Sequence, residues 1–247
     1  SAGPVVLGWI PEHGPSDYTF ASFAAEPLLS IDSNRELVGV LAERFEEDPE
    51  AKTITFYLRE GVKFHDGSDW NADVCKWNFD IAAKYATIPN EDIKAIVVDD
   101  DYTIRIELNR WTNQMLENIG ISLMMSQYSF EEHGGVDGGG IDWARGAVVG
   151  TGPFEFVEYV RDDHLTWTAN EDYWGEEGPY LDGIEIKIMP DMTTARLSME
   201  NGDAHMWSGA DGQNMSELEE LGFIRQEGWA GIQSLIVPSS INEDSPF

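Results

Sequence analysis

Cysteine is almost missing from this 247-residue chain: Cys75 stands alone, which excludes an internal disulfide and any metal site built from several cysteines. Positive charge is scarce as well. Fifteen lysines and arginines face 46 acidic side chains, for a formal net charge of −31. A surface of that sign repels phosphate backbones and anionic lipid heads, so nucleic acid is excluded as a partner. No run of about 18 apolar residues occurs, and nothing reads as a membrane-spanning helix. The opening SAGPVVLGWI has no basic stretch followed by a long apolar one, so the expectation is that any export signal was removed or omitted. What is present is core material. At 42% hydrophobic residues the chain can bury a sizeable interior, as one large domain or two smaller ones.

The acidity supports two readings. One is a solvated, highly soluble surface. The other is adaptation to high salt, for which six lysines against 25 glutamates and 21 aspartates argue.

Residues 5–10 form a short apolar run ended by Pro11 and read as a buried strand. A loop rich in Pro, Gly, Ser and aromatics is expected over 11–20. Residues 28–31 and 37–40 flank Asp32-Ser33-Asn34, which is turn chemistry, and predict a hairpin. In 53–58 the residues Ile54, Phe56 and Leu58 alternate with polar neighbours, giving a half-buried strand. Asn71 is a good N-cap for a helix over 72–85, in which Val74, Trp77, Ile81 and Tyr85 make one apolar stripe. Cys75 falls beside that stripe and reads as a partly buried structural thiol. Residues 93–98 and 103–108 surround Asp99-Asp100-Asp101 as a second hairpin, and the ligand spacing of a calcium loop is missing there.

Five glycines in 134–140 read as a flexible connection without the ending of a phosphate loop. Residues 154–160 and 164–169 form a hairpin, 184–189 a strand, 193–201 a helix closed by Gly202, and 204–207 a further strand. Strand, helix, strand predicts a crossover and a partly parallel sheet. A helix over 216–221 and strands at 223–227 and 232–237 complete the reading. Hairpins in the middle and α/β order at the ends suggest an insertion: 1–43 and 146–247 form one lobe, and 44–145 an α+β subdomain within it.

No catalytic set emerges. There is no G-x-S-x-G elbow, no H-E-x-x-H, and no pair of histidines at i, i+4 among His13, His65, His133, His164 and His205. Glu12-His13 and His65-Asp66 are pairs that could ligate a metal, but such pairs usually occur by chance. Of nine tryptophans, six sit at expected loops or strand ends (Trp9, Trp111, Trp143, Trp174, Trp207 and Trp229), where core packing and an aromatic-lined ligand cleft are the two roles open to them.

Several segments together resemble one family, the family 5 extracellular solute-binding proteins of ABC transporters. EPLLSID, LAERFEED and TITFYLREGVKFHDG, between Glu26 and Gly67, look like its opening signature, and DDDYTIRIELN looks like the hairpin that follows. The stretch from Gly150 to Trp207, GTGPFEFVEY through NGDAHMW, resembles its second signature. SDWNADVCKWNFD departs from the family's run before the helix, and the likeness is weak between Ile119 and Ala147.

The resemblance implies a periplasmic-binding-protein-like α/β lobe, a mixed sheet with flanking helices, carrying the inserted subdomain. Family members are about twice this length, so a second lobe is expected beyond QSLIVPSSINEDSPF, and a lipoprotein cysteine before Ser1. The implied function is extracytoplasmic capture of a small solute, an oligo- or dipeptide first, for delivery to ABC permease subunits. The protein would act as a monomer in the periplasm, or as a lipoprotein on the outer face of the membrane, without catalysis, cofactor or metal. A nickel complex or an oligosaccharide is the alternative ligand. From another class, the alternative is a secreted carbohydrate-active enzyme using an acidic pair. In open α/β sheets ligands sit beyond the carboxyl ends of the strands. That rule selects Glu12, His13, Tyr18 and Phe20 after the first strand, and Trp207, Ser208 and Asp211 after a later one. Trp207 also has a plain structural role open to it, as the last core residue of its strand. Trp77 and Trp174 are expected to serve folding alone.

Overall fold

The computed structural model describes residues 3–225 apart from 86, 87, 89 and 177, and divides into two compact units, Ser1–Ile188 and Met189–Phe247. In the first unit, a 3-10 turn at Ile10–Glu12 leads into α1 (Pro15–Ala21). The hairpin β1 (Leu29–Ile31) and β2 (Leu37–Gly39) follows, then β3 (Ala42–Asp48), β4 (Thr53–Leu58) and α2 (Ala72–Lys84). β5 (Ile93–Asp100) and β6 (Thr103–Leu108) complete a four-stranded sheet of order β3-β4-β6-β5. Short helices α3 (Met115–Gly120), α4 (Gln127–Glu132), α5 (Gly135–Gly138) and α6 (Gly140–Gly146) lead to the sheet β7 (Phe154–Val160), β8 (His164–Ala169) and β9 (Gly183–Lys187). The second unit contains α7 (Met192–Asn201) and α8 (Gly212–Glu220).

Alternation builds the four-stranded sheet. Ile54, Phe56 and Leu58 from β4 and Ile104, Ile106 and Leu108 from β6 all point to one face, and α2 covers it with Ala72, Cys75, Phe79 and Ala82. Asn71 caps the helix as expected, its Oδ1 accepting from the Val74 amide at 3.0 Å. Replacing it with alanine leaves that amide without a partner, and Asn71→Ala should cost about 1 kcal/mol in chemical denaturation. The expected stripe needs correction. The deep face of α2 is the Ala72/Cys75/Phe79/Ala82 row, and Cys75 is fully buried rather than partly so. Val74 and Trp77 are half-buried and Tyr85 is 37% exposed. Two clusters on two sides of one helix explain this, since Ile81 and Trp77 pack with Trp9 and Phe130 and not onto the sheet.

Other expectations are also corrected. Residues 5–10 are not a strand: the amides of Leu7, Gly8 and Trp9 donate to the carbonyls of Arg145 and Ala144 at the end of α6, at 2.7–3.0 Å, and no ladder is left to join. The expected loop over 11–20 contains α1, because the Asp17 carboxylate accepts from the Gly14 amide at 2.9 Å and starts a helix from loop-like composition. The glycine run is helical in α5 and α6, with Gly134 and Gly139 in left-handed backbone that glycine alone adopts without strain. Residues 204–207 form no strand. Asp203 and Ala204 turn their amides back to the Ser198 carbonyl at the end of α7, and Met206 is 83% exposed. Every strand pairing among the described residues is therefore antiparallel, and the parallel crossover is not completed there. α8 begins at Gly212, earlier than expected. The strand expected at 232–237 and the end of that at 223–227 lie outside the described residues.

Candidate functional site

Four of the seven selected residues share one short stretch of the first unit. Trp9 anchors it, stacked on Phe130 with centroids 5.3 Å apart and edge-on to Tyr85 at 5.1 Å. From there the 3-10 turn presents Glu12, whose carboxylate accepts two hydrogen bonds from Arg145, at 2.8 Å from Nε and 2.6 Å from Nη2. The Arg145 guanidinium holds the Glu12 carboxyl below the usual range, and Arg145 also donates to Asp142. Glu12 is thus already matched by a cation of the chain itself.

His13 folds back so that its Nε2 lies 2.6 Å from the Leu7 carbonyl. Burial pushes its ring below the ordinary histidine range. Asp17, buried on α1, accepts from the amides of Val5 at 2.7 Å and Gly14 at 2.9 Å, which closes the stretch. Tyr18 is exposed and its hydroxyl donates to the Ile121 carbonyl at 3.3 Å. Phe20 is half-buried against the cluster of Leu7, Ala24, Leu165 and Trp167.

The remaining three belong to the second unit. Asp211 is the N-cap of α8 and accepts from the Asn214 amide at 2.8 Å. Trp207 is half-buried and Ser208 exposed in the irregular stretch between α7 and α8. The two helices are tied together by Arg196, which pairs with Glu200 on its own helix and Glu217 on the other.

Sequence reasoning passed over a buried polar junction in the first unit. Glu26 is 7% exposed and accepts from the Thr151 hydroxyl at 2.8 Å, the Tyr173 hydroxyl at 2.7 Å and the Trp174 indole N–H at 2.8 Å. Arg59 lies over the Trp174 ring, 4.7 Å from its centroid. Burial pushes the Glu26 carboxyl up, with the three donors opposing. In the same unit, Asp66 accepts from the hydroxyls of Ser68, Ser126 and Ser129, which hold it low against its burial. The signal was on the page: Glu26, Asp66, Thr151, Tyr173 and Trp174 all fall inside the segments that carry the family resemblance. Neither pair weighed as metal ligands comes together as one. His65 faces the Gly152 carbonyl, Asp66 its serines, and no group of three ligating side chains occurs among the described residues. No described helix is long and apolar enough to cross a membrane.

Comparison with known proteins gives the family. The family model for bacterial extracellular solute-binding proteins, family 5 Middle, matches residues 36–237. The chain belongs to that family. It is similar to Heme-binding protein A of Haemophilus influenzae, 33% identical over 66% of this chain and 34% of that protein. It is also similar to the nickel-binding periplasmic protein of Escherichia coli, 27% identical over 86% of this chain and 41% of that one. Among solved structures, an ABC transporter-associated periplasmic binding protein from Helicobacter pylori, in complex with the peptide STSA, superposes with a TM-score of 0.80 at 23% identity. That match covers 89% of this chain and 47% of the other. The periplasmic-binding-protein fold expected from the sequence is therefore present, and the chain spans between a third and a half of the length of these relatives.

Proposed function

We propose that this protein captures a peptide outside the cytoplasm and hands it to the permease subunits of an ABC transporter, binding its ligand without chemical change. The observation that carries the reading is family membership joined to the likeness to a peptide complex. The lobe-and-insert arrangement, with 44–145 as the insert, is part of the proposal. Its support is that β3 to β6 and α2 share one hydrophobic cluster, to which Leu28, Leu29 and Leu41 before the insert also contribute. So is attachment as a lipoprotein, or free residence in the periplasm, as a monomer. Glu12, His13, Tyr18, Phe20, Trp207, Ser208 and Asp211 remain the proposed contacts. Their roles differ in kind, because Arg145 already neutralises Glu12 and Asp211 caps α8. Tyr18, exposed, and Trp207, half-buried, are the two proposed to stack on apolar parts of a ligand.

Calorimetry of the full-length gene product against a tetrapeptide pool, heme and nickel with histidine tests the ligand class, with recovery of intact peptide as the check on catalysis. Tight binding of peptide and of neither alternative is expected. Tyr18→Ala and Trp207→Ala should each weaken it by about 1–3 kcal/mol with little change in melting temperature. Binding of heme or nickel in place of peptide overturns the ligand, and unaltered affinity in both variants overturns the contacts.

A further inference from the structure

We propose that His13 and His65 are a pair of acid-operated latches: neutral, each ring ties two chain segments together through Nε2, and protonation at its buried Nδ1 releases the tie. The geometry fixes the tautomer. A carbonyl oxygen can only accept, so the ring nitrogen 2.6 Å from the Leu7 oxygen, and that 2.9 Å from the Gly152 oxygen, must each carry the hydrogen. In a neutral imidazole the other nitrogen then bears a lone pair. Both Nδ1 atoms are shut off from solvent with no hydrogen-bond partner among the described residues. A lone pair tolerates that surrounding. An N–H that arrives there finds no acceptor, and the ring gains a charge in a poorly solvated place.

The surrounding charges do not reverse the outcome. Asp17 on α1 faces His13 and favours its proton, while the neighbouring Glu12 is taken up by Arg145 of α6. Glu155 on β7 and the adjacent Asp66 do the same for His65, and Asp66 is already engaged by three serine hydroxyls. Burial outweighs these attractions at both rings, and each is pushed below the ordinary histidine range. His164 is the internal contrast. It is half-buried at the start of β8, with Asp163 on one nitrogen and Glu158 on the other, and these carboxylates raise it.

What the latches hold is specific. His13 closes the stretch that presents Glu12. His65 ties the segment after β4 to the strap before β7 twice, through its ring to Gly152 and its backbone amide to Gly150 at 2.9 Å, and that strap carries Thr151 to Glu26. The linkage sign follows. A histidine lowered in the folded state contributes fully above the unfolded value, near 6.5, and loses that contribution as pH falls from there to the folded value. The latches need no ligand, so they stand or fall separately from the transport reading.

Long-range ¹H–¹⁵N spectra of the histidine rings between pH 8 and 4 provide the test, with stability measured over the same range for the wild type, His13→Gln and His65→Gln. Glutamine offers an amide N–H to the same carbonyl and takes up no proton. Expected are Nε2–H tautomers for both rings at neutral pH, midpoints below that of histidine in the unfolded chain, and a His164 midpoint above it. Each substitution should remove up to about one proton from the uptake on unfolding between pH 7 and 5. An Nδ1–H tautomer or an ordinary or raised midpoint at either ring overturns the proposal, as does a stability slope in both variants equal to the wild type. Where a variant does not fold, the wild-type spectra decide.

Discussion

Glu26→Ala is expected to lower stability by about 3–5 kcal/mol, the largest loss from any single polar substitution in the first unit. The carboxylate is the shared acceptor for Thr151, Tyr173 and Trp174, and Thr151 is fully buried. Truncation strands three donors and opens a small cavity beside Arg59. Glu26→Gln should cost less, about 1–2 kcal/mol. Its amide oxygen can still serve Trp174 and Thr151, and the Tyr173 hydroxyl can reverse to accept from the new N–H. Urea unfolding of both variants distinguishes the cases. An alanine variant within about 1 kcal/mol of the wild type would mean that the junction is not held by this carboxylate. The pH dependence has a definite sign. Burial raises Glu26 in the folded state, so its ionised form opposes folding, and this opposition is relieved as pH falls through the folded value.

Melting temperature should rise with sodium chloride between 0.1 and 1 M, by about 5 °C, corresponding to roughly 1–3 kcal/mol. Among the described residues, at least ten lysines and arginines (Arg44, Arg59, Lys63, Lys76, Lys94, Arg105, Arg110, Arg145, Lys187 and Arg196) make ion pairs. Even if all fifteen were paired one to one, 46 − 15 = 31 carboxylates would have no cation. Some of the excess is concentrated. Glu60, Asp100 and Asp101 line one open groove of about 620 Å³, together with Glu43, which pairs with Arg59, and Arg44, which stacks on Tyr57. Salt also weakens the exposed pairs, but each is worth at most about 1 kcal/mol, so relief of the excess decides the direction. A flat or falling curve would show that the carboxylates are compensated locally, and the high-salt reading would lose its support.

Where a segment buries a single face or ends at a local cap, the sequence was easy to read. The 53–58 alternation became β4 residue for residue because a single face is buried. Asn71 and Gly202 marked helix ends because caps act within a few residues. The reading failed where a segment answers to two partners or to none nearby. α2 serves two clusters, so Ala72, Cys75, Phe79 and Ala82 form its deep face while Trp77 turns to the other side. Residues 5–10 have the composition of a strand, yet the end of α6, more than 130 positions away, takes their amides. Of the candidate site, the sequence placed Glu12, His13, Tyr18 and Phe20 on one stretch. It could not show that Glu12 has a partner in Arg145, since nothing local encodes an ion pair across 133 residues.

The junction at Glu26 also bears on the order in which the molecule assembles. Hairpins such as β7–β8 close over a few residues, whereas Glu26 meets Thr151 and Trp174 across 125 and 148 positions. Closing so long a loop costs entropy that only an already collapsed chain has mostly met. The carboxylate is therefore expected to find its donors after the hairpins and α2 are in place, and Glu26→Ala to speed unfolding more than it slows folding in stopped-flow urea jumps. On that expectation Glu26 bears on the lifetime of the folded first unit rather than on how quickly it forms.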